Sequence, residues 1–137
     1  MSDIKITVTD RGLHQCASSG SKWEPIMGYS RAVKAGKHIA VTGTVGVNAD
    51  GTYSKSMADQ TRRSLAIIQA AIEALGGNLK HVIRTRMYVT DVSKWEEVAR
   101  VHGEVFAEIR PATTIVEVTK LIDSEAQIEI EADAIVA

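Results

Sequence analysis

The side chains with most chemical promise stand in two strand-like runs. In residues 127–135 (QIEIEADAI), strand alternation places Ile128, Ile130, Ala132 and Ala134 on one face and leaves Glu129, Glu131 and Asp133 in a row on the other. Carboxylates about 7 Å apart along a strand repel modestly in water and more strongly under cover. In residues 82–89 (VIRTRMYV), the same pleat sets Ile83, Thr85, Met87 and Val89 against Arg84, Arg86 and Tyr88. An acidic strip and a basic strip of similar length can pair across neighbouring strands, within one chain or between subunits, as ordinary sheet-surface charges do. In a covered pocket the same groups have another use. An arginine fork there binds an anion, and a carboxylate beside it orients water or carries a proton. The two readings part on whether Arg86 and Glu129 face a concavity or open solvent.

Other chemistries find less support. His14, His38, His81 and His102 show no close ligand spacing, and Cys16 has only His14 nearby, so no metal site is expected. His102 falls beside the apolar face of a helix and reads as a structural histidine. No GxSxG, Walker A or GxGxxG sequence occurs, which removes the best-marked hydrolase, nucleotide and dinucleotide motifs. Sixteen Lys plus Arg against seventeen Asp plus Glu give a net charge of −1, and aromatics are few, so neither a polyanion field nor base stacking favours nucleic acid.

The elements that must position these residues belong to one expected domain, residues 1–137. The 45% apolar and 24% charged composition is that of a globular chain, which at this size buries roughly two thirds of its unfolded surface. The opening MSDIKITVTD alternates and does not read as a secretory leader, and no run reaches ~18 apolar residues, so a cytoplasmic protein without a membrane span is expected. Alternation predicts a strand over residues 4–8. Residues 11–28, with Ser18, Ser19, Gly20, Ser21 and Pro25, read as a long loop whose Trp23 packs against something. A hairpin follows over residues 30–34 and 38–45. Ser56 and Asp59 open a helix carrying Leu65, Ile68, Ile72 and Leu75, which Gly76 and Gly77 end. A strand over 82–89 precedes a second helix, opened by Ser93 with Glu96 and carrying Trp95, Val98, Val101, Val105 and Phe106 on one broad face. Strands over 113–118 and 127–135 close the chain. Strand-helix-strand units require parallel pairing and hairpins antiparallel pairing, so the expected fold is α+β, a mixed β-sheet backed by two α-helices.

Four stretches, in this order and spacing, resemble the reactive intermediate deaminase (Rid, or YjgF) family, once labelled liver perchloric-acid-soluble (L-PSP) proteins. They are GYSRAVKAGKHIAVTGTVG (28–46), QTRRSLAIIQAAIEALGG (60–77), VIRTRMYVTDVSKWEEV (82–98), and RPATTIVEV with the closing IEIEADAIV. The resemblance covers about residues 27–136 and implies a chorismate mutase-like fold, a homotrimer and clefts between subunits. It implies cofactor-free hydrolysis of a reactive enamine or imine to a carbonyl compound and ammonia. Carried across, Tyr29 matches a cleft tyrosine, Thr42 a hydroxyl residue before the strand glycine, and Glu129 the glutamate that orients water. The backbone of Ile115 lies where the family's main chain holds a substrate carboxylate. Active deaminases carry arginine where Thr113 stands here. Its bidentate bond to a carboxylate is worth about 1.5–3 kcal/mol. Arg86 is the expected substitute, facing the cleft or pairing with Glu129, and the Trp23 loop is expected to narrow the cleft. The alternative is a non-catalytic small-molecule-binding or regulatory trimer; a ribonuclease or translation inhibitor, though named within the family, lacks paired histidines or a basic groove here.

Overall fold

The computed structural model describes residues 3–137; the first two residues of the opening segment lie outside the described residues. One sheet takes seven strands in the order β1-β2-β3-β4-β7-β5-β6. They are β1 (Thr7–Asp10), β2 (Gln15–Ser18), β3 (Ala32–Ala35), β4 (His38–Val45), β5 (Val82–Val89), β6 (Ala112–Glu117) and β7 (Ile128–Ile135). β5 and β6 run parallel and the other adjacent pairs antiparallel, which makes the sheet mixed as the hairpins and the crossover required. Three helices accompany it: α1 (Trp23–Met27), α2 (Met57–Ala74) and α3 (Trp95–Phe106).

Helix α2 lies across β4 and β7 with α3 beside it. The Ser56 hydroxyl accepts from the Asp59 N–H at 3.1 Å, as the sequence predicted, and the Gly77 N–H returns to the Ile72 carbonyl at 2.9 Å. Leu65, Ile68, Ile72 and Leu75 are all buried against Ile39, Val41, Ile128, Ile130 and Ala132 of the sheet. Burying a side chain of that kind contributes about 1.5–3 kcal/mol, so this interface carries the core. Gln60, fully buried at the start of α2, gives its amide N–H groups to the Ser54 and Glu125 carbonyls while its oxygen accepts from the Gln127 N–H. One side chain thereby ties two loops to the helix.

Several expectations need correction. The segment read as a loop over residues 11–28 holds strand β2 and helix α1; four residues of strand and five of helix are too short to show a period. The first strand begins at Thr7 rather than Ile4, and Ile4 and Ile6 precede it half-buried. The second long helix has no side-chain cap: Lys94 stands at its start, and the Ser93–Glu96 cap is replaced by a preceding 3-10 turn that Asp91 caps, its carboxylate accepting from the Ser93 N–H at 3.0 Å. Trp95 is 53% exposed, so the apolar face of α3 is narrower than predicted and rests on Val98, Val101 and Phe106. In β5 a register shift between Val82 and Arg84 reverses the phase, burying Val82 and exposing Ile83.

A second irregularity shapes the site. Val41 pairs with Ala132 and Thr44 with Ile130, so β4 carries one residue more than β7 between them. Ile39 and Val41 face the core before this bulge and Thr44 after it, which leaves Gly43 against the opposite face.

Candidate active site

The bulge opens onto a cavity of about 480 Å³, walled by the start of α1, β4, β7, α2 and the loops near residues 48 and 122. Glu24, buried in α1, accepts from the Ser19 hydroxyl at 2.8 Å, the Ser19 N–H at 3.2 Å and the Ser21 N–H at 3.4 Å. Burial alone would raise its pKa. Hydrogen bonds from Ser18 and Ser19, with the Arg31 charge, outweigh that and hold it below its ordinary value.

Arg31, itself 6% exposed, sits 3.5 Å from Glu24. Its Nε donates to the Ser19 hydroxyl at 3.1 Å, and one terminal nitrogen donates to the Gly43 carbonyl at 2.9 Å and the Thr44 hydroxyl at 3.3 Å. The other terminal nitrogen reaches the Tyr29 hydroxyl at 3.5 Å, and the guanidinium carbon stands 5.6 Å from the Tyr29 ring centroid. The bulge therefore turns a backbone carbonyl into an arginine ligand, and α1 supplies the counter-ion.

Glu129 enters from β7 beside Gly43. A Cβ built on Gly43 would lie 2.9 Å from the Glu129 carboxyl carbon, so glycine is what leaves the carboxylate its place. Among the described residues this carboxylate has no hydrogen bond or ion pair. Burial pushes its pKa up, the neighbouring Glu131 pushes the same way, and Arg31 opposes them. Tyr53, across the cavity, is pushed up to about 12 by burial and by the nearby carboxylates, Asp123 foremost. A half-buried carboxylate without a partner, raised in pKa and near a fixed positive charge, is suited to accept a proton from water or from a nitrogen compound. Among the described residues, no three His, Cys, Asp or Glu side chains are grouped as metal ligands.

Of the residues expected at the site, Glu129, Tyr29 and Trp23 line this cavity. Thr42 does not; it borders a shallow neighbouring groove with Tyr29, and its carbonyl accepts from the Thr44 hydroxyl at 2.8 Å. The expected meeting of Arg86 with Glu129 does not occur within the chain. The cross-strand register instead sets Arg86 opposite Glu131, 3.6 Å away, and brings it within 3.3 Å of Asp133, in a side chain 44% exposed. Thr113 lies on the helix-facing side of the sheet: its hydroxyl is 2.6 Å from that of buried Thr85, which is 2.9 Å from His102 Nε2. Ile115 packs against the core. The sequence reading missed Arg31, Glu24 and Tyr53, and marked Gly43 only as the strand glycine after Thr42. Arg31 stands two residues beyond Tyr29 and so shares its side of an extended segment, and three serines crowd Glu24; both signals were present.

Comparison with known proteins places the fold. A crystal structure of a Mycobacterium tuberculosis member of the YjgF/YER057c/UK114 family superposes with a TM-score of 0.84 at 46% identity, covering 90% of this chain and 99% of that one. A RutC family protein of Pyrococcus horikoshii is 37% identical over 113 residues, 81% of this chain and 89% of its own. More distantly, a Dermatophagoides farinae protein named 2-iminobutanoate/2-iminopropanoate deaminase is 24% identical over 115 residues, 82% of this chain and 89% of its own. The family model described as Endoribonuclease L-PSP matches residues 20–136, and with that span and these relatives the chain belongs to the YjgF-type, L-PSP family.

Proposed function

We propose that the protein hydrolyses a reactive imine or enamine to a carbonyl compound and ammonia without an organic cofactor. The observation that carries this reading is the Glu129 carboxylate, held over Gly43 in the cavity, without a hydrogen bond or ion pair among the described residues and with a pKa raised by burial. The imine reacts as its iminium form, which an enamine reaches by protonation at carbon. Glu129 takes a proton from water as the water oxygen bonds to the iminium carbon, giving a neutral carbinolamine, and returns that proton to nitrogen. It then takes the hydroxyl proton as the carbonyl forms and the C–N bond breaks, and passes it to the departing ammonia, which leaves as ammonium. Tyr29 and Trp23 position the substrate, and the Arg31 charge opposes the rise that burial and Glu131 impose on the Glu129 pKa. The relative named as a 2-iminobutanoate/2-iminopropanoate deaminase supports this class of chemistry. The reading includes a homotrimer whose clefts lie between subunits, with Thr113 and the Ile115 backbone facing the cavity of a neighbouring protomer.

The test is ammonia release from an imine generated enzymatically in situ. The protein is expected to exceed buffer, and Glu129→Gln to lose about 10²–10⁴-fold of that acceleration. Turnover no faster than buffer, or unchanged in the variant, overturns the proposal. Thr113 favours a second reading. A hydroxyl stands there, tied to Thr85, and a trimer that only binds a small molecule needs no arginine at that place. It predicts saturable ligand-induced thermal stabilisation with no ammonia produced.

A further inference from the structure

Charge in the cavity is unevenly satisfied. Arg31 spends four hydrogen bonds on Ser19, Gly43, Thr44 and Tyr29 and pairs its charge with Glu24 at 3.5 Å. Arg63 donates to the Val47 carbonyl at 2.9 Å and to Asp3 at 2.7 Å, an ion pair that neutralises both. Asp123 accepts from the Tyr53 phenol. The Lys22 ammonium stands 5.0 Å from the Trp23 ring centroid, and Lys22 and Lys5 are both exposed, where an anion gains little from pairing with an ammonium. Among the described residues Glu129 and Asp123 are the cavity carboxylates without an ion pair, and Glu129 also lacks a hydrogen-bond donor, with Arg31 acting on it only through space; a half-buried charge so placed favours a ligand that supplies a cationic donor.

We infer that this cavity takes a small amine or iminium bearing no carboxylate, whose N–H groups donate to Glu129. The inference rests on the cavity being the ligand site proposed above and names its substrate class. Within one protomer a carboxylated ligand would need a cation with a free N–H fork, which Arg31 does not offer, and in the proposed trimer the neighbour's strand brings Thr113 where an arginine would supply one. Its carboxylate would also approach Glu129, at a repulsion that rises as water leaves. Burial and the Glu131 charge raise the Glu129 pKa by more than Arg31 lowers it.

Three probes of one shape separate the possibilities: cyclopentylammonium, cyclopentanecarboxylate and cyclopentanol, each titrated at neutral pH into the full chain while backbone amide NMR shifts are followed. Cyclopentylammonium is expected to bind at least about tenfold more tightly than cyclopentanecarboxylate, with the largest shifts at Gly43 and Glu129. In Glu129→Gln the preference is expected to vanish while the rest of the spectrum is unchanged. Carboxylate binding as tight as ammonium binding, a preference that survives Glu129→Gln, or no saturable ammonium binding overturns the inference. Since binding is read without turnover, ammonium preference with no imine hydrolysis would remove the hydrolase reading alone. Imine hydrolysis with a carboxylate preference would remove this inference alone.

Discussion

Glu129 is held at a cost to the fold. Its pKa in the folded chain lies above its ordinary value of 4.5, so the folded state binds that proton more tightly than the unfolded state. The associated stability is present below about 4.5 and lost as pH rises through the raised value. Glu129→Gln should therefore raise the melting temperature at pH 7 and not at pH 4, a comparison that calorimetry can make directly. The same titration should give hydrolysis an acid limb above the ordinary carboxylate range, seen in kcat/KM against pH and absent from any residual activity of the variant. Glu24 works with the opposite sign: its lowered pKa gives stability present above 4.5 and lost as pH falls through the folded value. Gly43→Ala separates site from scaffold. Its methyl group meets the flexible end of Glu129 rather than backbone, so the melting temperature should barely move while turnover falls by about 10²-fold through carboxylate misplacement. Equal turnover in Gly43→Ala would remove the argument that this glycine seats the carboxylate.

Among the elements, the β4 bulge decides most. By inserting one residue it turns the Gly43 carbonyl toward Arg31 and returns Thr44 to the core. Just beyond the strand, Gly46 packs on the first turn of α2, where an added Cβ would stand 2.9 Å from the Gln60 Cα. That neighbour is backbone and cannot swing aside. Gly46→Ala should lower stability by about 1–3 kcal/mol in denaturant unfolding, in contrast to Gly43→Ala. Unfolding curves that coincide with the wild type would show that α2 can slide, and that the Gln60 clamp on residues 54, 125 and 127 is looser than its distances indicate. Short α1 has a part beyond its length: it brings Glu24 under Arg31 and Trp23 to the cavity wall.

For the whole molecule, the helices leave one face of the sheet bare. On it Arg86 joins Glu131 and Asp133, and Asp133 also meets His38 at 3.0 Å. Such exposed pairs contribute about 0–1 kcal/mol each, so they keep this face ionic without stabilising the fold much. Ile83, Val116 and Ile135 stand more than 40% exposed on β5, β6 and β7. The proposed trimer predicts a light-scattering mass three times that of the chain, and a monomeric mass at micromolar concentration would leave Thr113 and Ile115 without a cavity to face. Among the described residues, no helix is long and apolar enough to cross a membrane.

The sequence by itself determined α2, β4, β5 and β7: α2 by its long helical period with a cap at Ser56 and stops at Gly76 and Gly77, β7 by unbroken alternation, and β4 and β5 by alternating stretches that survive the bulge in one and the register shift in the other. It also showed that Glu129 points away from the core, since alternation in β7 is unbroken. Tertiary structure alone decided which cation Glu129 meets. Arg86 and Glu129 share a sheet face, but register sets Arg86 against Glu131. Arg31 reaches the site because a one-residue bulge, invisible to a period-2 pattern, bends β4 toward it. Periodicity tells which side of a strand a residue occupies; which neighbours it finds there is fixed by pairing and bulges, and these depend on contacts between segments far apart in the chain.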